Sequence, residues 1–190
     1  MTTLRVNSQD LGEAGTIDTY AMYRGDDTDD MLINEYNEEH NTDYNYDDFE
    51  WDYDNKQIVK DFAELRAKIL ESDDAINSVK VLETGSPKEY NYSTDWADFE
   101  IDYNERVVDD FCHERESEKF SEYYGESGWQ STIKAKEDDD DKDRLYKIAM
   151  LSFYLNNKAF PTWEDKHCLM FEHESGIYWE NTKMTLGKDK

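Results

Sequence analysis

The stretch DFEWDYDNKQIVKDFAELRAKIL, Asp48 to Leu70, changes its period half-way along. Up to Asp54, acids and rings alternate. This is the two-residue repeat of a strand with Phe49, Trp51 and Tyr53 on one face and Asp48, Glu50, Asp52 and Asp54 on the other. From Asn55 onward the apolar residues fall at Ile58, Phe62, Leu65 and Ile69, the spacing of one buried helical face. The segment predicts a strand that runs straight into a helix.

Further along, DFEIDYNERVVDDF, Asp98 to Phe111, follows the same course after a one-residue deletion. Asp98, Glu100 and Asp102 form its acidic face, and Val107, Val108 and Phe111 its helical apolar face. Phe49 matches Phe99, Glu50 matches Glu100, Asp52 matches Asp102 and Phe62 matches Phe111. The pair reads as an internal duplication of a strand-helix unit, over about residues 44–72 and 92–120. The fold expected is α+β: one domain over residues 1–190, with a mixed or antiparallel sheet and helices packed on one face of it.

The rest of the chain fits around these units. TLRVN predicts an opening strand, and TIDTYAMYR a second one. TDDMLINEYNEEHN predicts a short helix capped by Thr28, with Met31, Leu32 and Tyr36 on its apolar side. INSVKVLETGSPKEYNYSTD reads as a strand, a Gly-Ser-Pro turn and an extended piece that together supply the middle of the sheet. GESGWQS breaks the chain, and KAKEDDDDKD reads as a solvated loop. DRLYKIAMLSFYLNN is apolar on nearly every side and should be the most buried helix. HCLMFEHESGIYWENTKMTL reads as a closing hairpin around its Ser-Gly pair.

Charge dominates the composition. Against 21 Lys and Arg stand 47 Asp and Glu, a formal net charge of -26 with a pI near 4.3. A hydrophobic fraction of 37% with 14% aromatic residues is nonetheless enough to build a core. Such an anion repels nucleic acid and anionic membranes and attracts basic surfaces. No apolar run is long enough to span a bilayer and MTTLRVNSQD lacks a secretory pattern, so the expected location is the cytoplasm of the host cell. Lys outnumbers Arg, and Asn and Tyr are frequent, which fits an AT-rich genome better than salt adaptation.

Motifs for chemistry are few. Asp43, Asn45 and Asp47 occupy the first three ligand positions of a calcium loop, but Asp48 replaces the required Gly and Asp54 the bidentate Glu. Cys112, His113, His167, Cys168 and His173 are zinc-type ligands without zinc-site spacing. DDDDK, Asp138 to Lys142, is an enteropeptidase recognition peptide in a run better explained by solvation. No phosphate loop, nucleophile elbow or zinc-protease motif is present. The expectation is a non-enzymatic protein with no cofactor and no metal site.

SPKEYNYSTDWADFEIDYN, Ser86 to Asn104, together with YNYDDFEWDYDNK, resembles uncharacterised proteins of phages and other mobile elements, a likeness covering about the middle half of the chain. In character the chain is similar to the DNA-mimic anti-restriction and anti-CRISPR proteins. That resemblance implies an inhibitor whose carboxylates take the place of phosphates on the basic DNA- or RNA-binding surface of a host CRISPR or restriction nuclease. The residues expected to carry it are Asp48, Glu50, Asp52, Asp54, Asp98, Glu100 and Asp102, with Asp26, Asp27, Asp29 and Asp30 as an auxiliary patch. Direct nucleic-acid and membrane binding are not expected. The competing class is an acidic protein-binding or cation-binding module unrelated to nucleic-acid machinery.

Overall fold

The computed structural model describes residues 1–15, 17, 29–85, 95–136, 139–159 and 176–188. Among these residues the strands are β1 (Thr2–Asn7), β2 (Phe49–Tyr53), β3 (Ile76–Gly85), β4 (Trp96–Tyr103) and β5 (Thr182–Leu186). The helices are α1 (Asp29–His40), α2 (Asn55–Leu70), α3 (Glu105–Asp110), α4 (Ser117–Glu126), α5 (Trp129–Ala135), α6 (Asp139–Tyr154) and α7 (176–181). The architecture is α+β with antiparallel sheets.

The strands form two sheets rather than one. β1, β4 and β3 make a three-stranded sheet in that order, while β2 pairs with β5 in a separate two-stranded ribbon. The expectation that residues 76–95 supply the middle of the sheet is therefore corrected for the described strand, β3: it flanks β4, and β4 is the centre. Its inward residues explain why. Ala97, Phe99, Ile101 and Tyr103 are all buried, so every second position demands neighbours on both sides. Leu4 and Val6 of β1 and Ile76 and Val79 of β3 extend the same apolar face. The opposite face carries Thr3, Arg5, Lys80, Asp98 and Glu100. At the far end Gly85 lies opposite Trp96, whose indole comes so close that a Cβ there would sit 2.4 Å from the ring, so a side chain at this position would have to displace the indole.

α2 covers the inner face through Ile58, Val59, Phe62, Ala63, Ala67 and Leu70. Its stripe is rotated from the expected one, because Leu65 and Ile69 are only half-buried. Asp54 caps the helix, accepting from the Gln57 N–H at 3.1 Å. In the second unit Val108 and Phe111 are buried but Val107 is exposed, and Asn104 makes no side-chain cap. The helix there soon widens into a π-helical turn at Phe111–Arg115. Both units thus place a strand before a helix, but in non-equivalent settings, one at the centre of a sheet and one in a ribbon.

α6 is as buried as its composition predicts, with Ile148, Ala149, Leu151 and Leu155 just beyond it fully enclosed. Its start overturns one expectation: Asp139 to Lys142 is the first turn of a helix, not a loop, since acids at a helix N-terminus meet the positive end of the dipole. Beyond its C-terminal end, Asn156 pins the segment after β1. Its amide accepts from the Ala14 N–H at 2.6 Å and donates to the Leu11 carbonyl at 2.9 Å.

The expected closing hairpin is likewise corrected. Gly176 begins α7, and β5 returns to pair with β2 far away in sequence. Tyr178 anchors the helix, buried edge-on against Phe62 at 5.4 Å, and the Asn181 amide and Thr182 hydroxyl donate back to the Ile177 and Tyr178 carbonyls. The proposed strand at residues 16–24 and the extended piece at 86–94 lie almost wholly outside the described residues, as do His167, Cys168 and His173.

Cys112 is fully buried, its thiol donating to the Met150 carbonyl at 3.5 Å, and burial pushes its pKa up to about 12. At pH 8 only about one thiol in ten thousand is then ionised. In a Cys168→Ser variant, iodoacetamide should alkylate the folded protein more than about 100-fold slower than the urea-unfolded chain. Comparable rates would show that Cys112 is accessible.

Candidate interface

The first acidic row is shorter than the alternation implies. Within β2, Glu50 and Asp52 are exposed, and Phe49, Trp51 and Tyr53 occupy the other face. They lie one two-residue step apart, about 6.8 Å. Asp54 is exposed just beyond, as the α2 cap.

Asp48 does not belong to this row. It closes a 3-10 turn, Tyr46–Asp48, its carboxylate accepting from the Asn45 N–H at 2.8 Å while the Asn45 side chain accepts from the Asp47 N–H at 3.0 Å. This reciprocal capping buries Asp48 to 7% exposure. It also engages the Asn45 side chain, one of those that a calcium loop would need. Asp48→Ala should cost about 0.5–2 kcal/mol, read from thermal unfolding, as loss of a cap normally does. No change in stability would mean that the turn is held otherwise.

Asp29, expected in the auxiliary patch, is also structural. It is 4% exposed and receives the Tyr53 hydroxyl at 3.0 and 3.2 Å. Burial, hydrogen bonding to Tyr46 and the charge of Asp29 together push the Tyr53 phenol upward, so it stays a neutral donor. Asp30 is exposed on α1, and Asp26 and Asp27 lie outside the described residues.

The second row sits on β4 and is interleaved with cations. Asp98 pairs with Arg5 at 2.7 Å, and hydrogen bonding to Asp98 raises the Arg5 pKa. Glu100 stands opposite Arg5 on one side and Lys80 on the other. Asp102 lies between Thr3 and Ser78, with one carboxylate oxygen buried and, among the described residues, unpartnered. A single-sign face on this strand is therefore corrected. Cross-strand pairing with opposite charges relieves the repulsion that a central strand would otherwise carry. On the ribbon only Asp52 has such a neighbour, Lys183 on β5, while Glu50 faces Thr185.

A third row was missed by looking for alternation alone. ERESEKFSEYYGE spaces Glu114, Glu118, Glu122 and Glu126 four residues apart. Glu118, Glu122 and Glu126 line one side of α4 at about 6 Å of rise per step. All three are exposed, and among the described residues none has an ion-pair partner. Like charges at this spacing cost a few tenths of a kcal/mol per pair. The helical period of glutamates was the available signal.

The ring face of β2 has its own environment. Phe49 packs edge-on to Tyr36 and Tyr44, with centroids 5.1 and 6.0 Å away, and both it and Tyr46 contact Trp51. This cluster lies apart from the main core, which Tyr53 alone of the strand touches. The ribbon is thus an acid-faced, ring-backed projection built on α1.

No family model, no curated protein and no solved structure matches this chain. Among the described residues no helix is long and apolar enough to cross a membrane, and no three His, Cys, Asp or Glu side chains converge as a metal site would need.

Proposed function

We propose that the chain is an anti-defence inhibitor of a phage or other mobile element, acting in the host cytoplasm as a nucleic-acid mimic. It occupies the basic DNA- or RNA-binding surface of a host CRISPR or restriction nuclease. The observation that carries this reading is the repeat of exposed carboxylates: Glu50 and Asp52 about 6.8 Å apart on a strand, with Lys183 opposite Asp52 alone, and Glu118, Glu122 and Glu126 about 6 Å apart on a helix. Those steps are close to twice the ~3.4 Å axial rise per phosphate on one DNA strand. A groove of Arg and Lys that binds phosphates can therefore pair with every second position. The net charge of -26 supports the same partner, because opposite charge steers association and lifts its rate.

Of the residues first expected, Glu50, Asp52, Asp54 and Asp30 remain in the proposed contact surface, Glu118, Glu122 and Glu126 join it, and Asp48 and Asp29 leave it. Asp98, Glu100 and Asp102 contribute only a partly neutralised field. The test is capture of a basic nuclease by the tagged chain from host extract treated with nuclease, followed by competition against labelled duplex for the captured protein. Persistence of capture without nucleic acid and loss of duplex binding support the reading. Capture that vanishes with the nucleic acid removes it.

A further inference from the structure

Tyr46 is the one Phe, Tyr or Trp that is exposed among the described residues, with 48% of its surface in solvent. An exposed ring usually swings freely, but this one is held. It stacks on Trp51 with centroids 5.0 Å apart and planes 14° from parallel. The Trp51 indole N–H donates to the Tyr46 carbonyl at 3.1 Å, and the turn that carries the ring is closed by the Asn45 and Asp48 caps. Trp51 in turn stacks with Tyr53 at 6.4 Å and 9°. The open side of Tyr46 is the end of a rigid aromatic stack.

Its surroundings select the occupant. Between Asp29 and Asn55 every charged side chain except His40 is a carboxylate, and Asp43 and Asp47 flank Tyr46 as exposed residues. Among the described residues no cation covers the ring. A flat π face inside a negative field favours a planar cation, which gains stacking and a carboxylate hydrogen bond together. An ammonium gains the charge interaction without the planar stacking.

We propose that Tyr46 is the platform for an arginine of the partner, so that the chain prefers Arg-rich to Lys-rich surfaces of equal charge. This inference rests on the polyanionic reading above and adds the identity of the contacting side chain. Its test uses the full chain with octa-arginine and octa-lysine peptides at one salt concentration, titrated calorimetrically, with ring-proton shifts of Tyr46 followed by NMR. Octa-arginine should bind the tighter, and Tyr46→Leu should shrink that margin about two- to five-fold, the size of an exposed cation–π contact. Tyr46→Phe should keep the margin, and Tyr46→Leu should lower octa-lysine affinity less than octa-arginine affinity. In the unaltered protein the Tyr46 ring protons should shift further with octa-arginine than with octa-lysine at equal saturation, which tests the contact without any substitution. Equal binding of both peptides, or a margin that survives Tyr46→Leu, overturns the arginine platform and leaves the polyanionic reading standing. Failure of both peptides to bind overturns the two together.

Discussion

Phe99→Ala is expected to lower the stability of the protein by about 3–5 kcal/mol in urea unfolding followed by circular dichroism, the usual cost of emptying a ring-sized site in a core. Phe99 is fully buried at the centre of β4, with Val6 opposite it on β1 and Val81 on β3. Strands on both sides and α2 below leave nothing free to collapse into the cavity. Phe49 occupies the matching place in the first sequence unit, but its neighbours are Tyr36, Tyr44 and Trp51 in a two-stranded ribbon outside the main core. Phe49→Ala should cost less, because rings and water can move into the gap there. Equal losses would mean that both units are buried alike, against the packing described above.

The second large effect concerns charge placement. Neutralising Glu50, Asp52, Glu118 and Glu122 as Gln or Asn should weaken binding to the basic partner by roughly 30- to 1000-fold. This takes about 0.5–1 kcal/mol for each exposed ion pair lost. The salt dependence of the affinity should become shallower at the same time, since fewer counterions are exchanged. A control separates position from total charge. Asp29→Asn with Asp48→Asn removes two charges, half as many as the exposed set, yet both residues are buried and Asn keeps an acceptor for the Tyr53 hydroxyl and the Asn45 N–H. This pair should bind almost as well as the unaltered chain. A free-energy loss about half that of the exposed set, in proportion to the charges removed, would show that net charge, and not the rows, sets the affinity.

Much of the fold was legible because local pattern and packing agree. The alternation at Phe49–Tyr53 and Trp96–Tyr103, the helical spacing from Ile58 onward, and the apolar density of α6 each point to the element that forms. What was not legible was pairing. Alternation fixes which side of β2 is apolar but says nothing of its partner, and β5 lies more than a hundred residues away. For the same reason two similar segments were read into one sheet, although one strand takes two neighbours and the other takes one.

The site was legible in part. Alternation put Asp48 in a row with Glu50, but a side chain at the edge of a strand can turn back to cap its own loop, and Asp48 does. Asp29 was hidden similarly, its burial set by a phenol 24 residues away in sequence. The cations between Asp98 and Glu100 come from β1 and β3, so no reading of β4 alone could show that its acids are neutralised. The glutamate row of α4 was visible at a period of four.

The most direct measurement is an equilibrium competition with the captured partner, a fluorescent duplex and increasing amounts of the chain. If the chain stands in for nucleic acid, duplex and chain exclude each other: the duplex is released as the chain saturates the partner, and the variant neutralised at Glu50, Asp52, Glu118 and Glu122 needs a correspondingly higher concentration. A stable ternary complex, in which the partner holds duplex and chain together, would contradict the account.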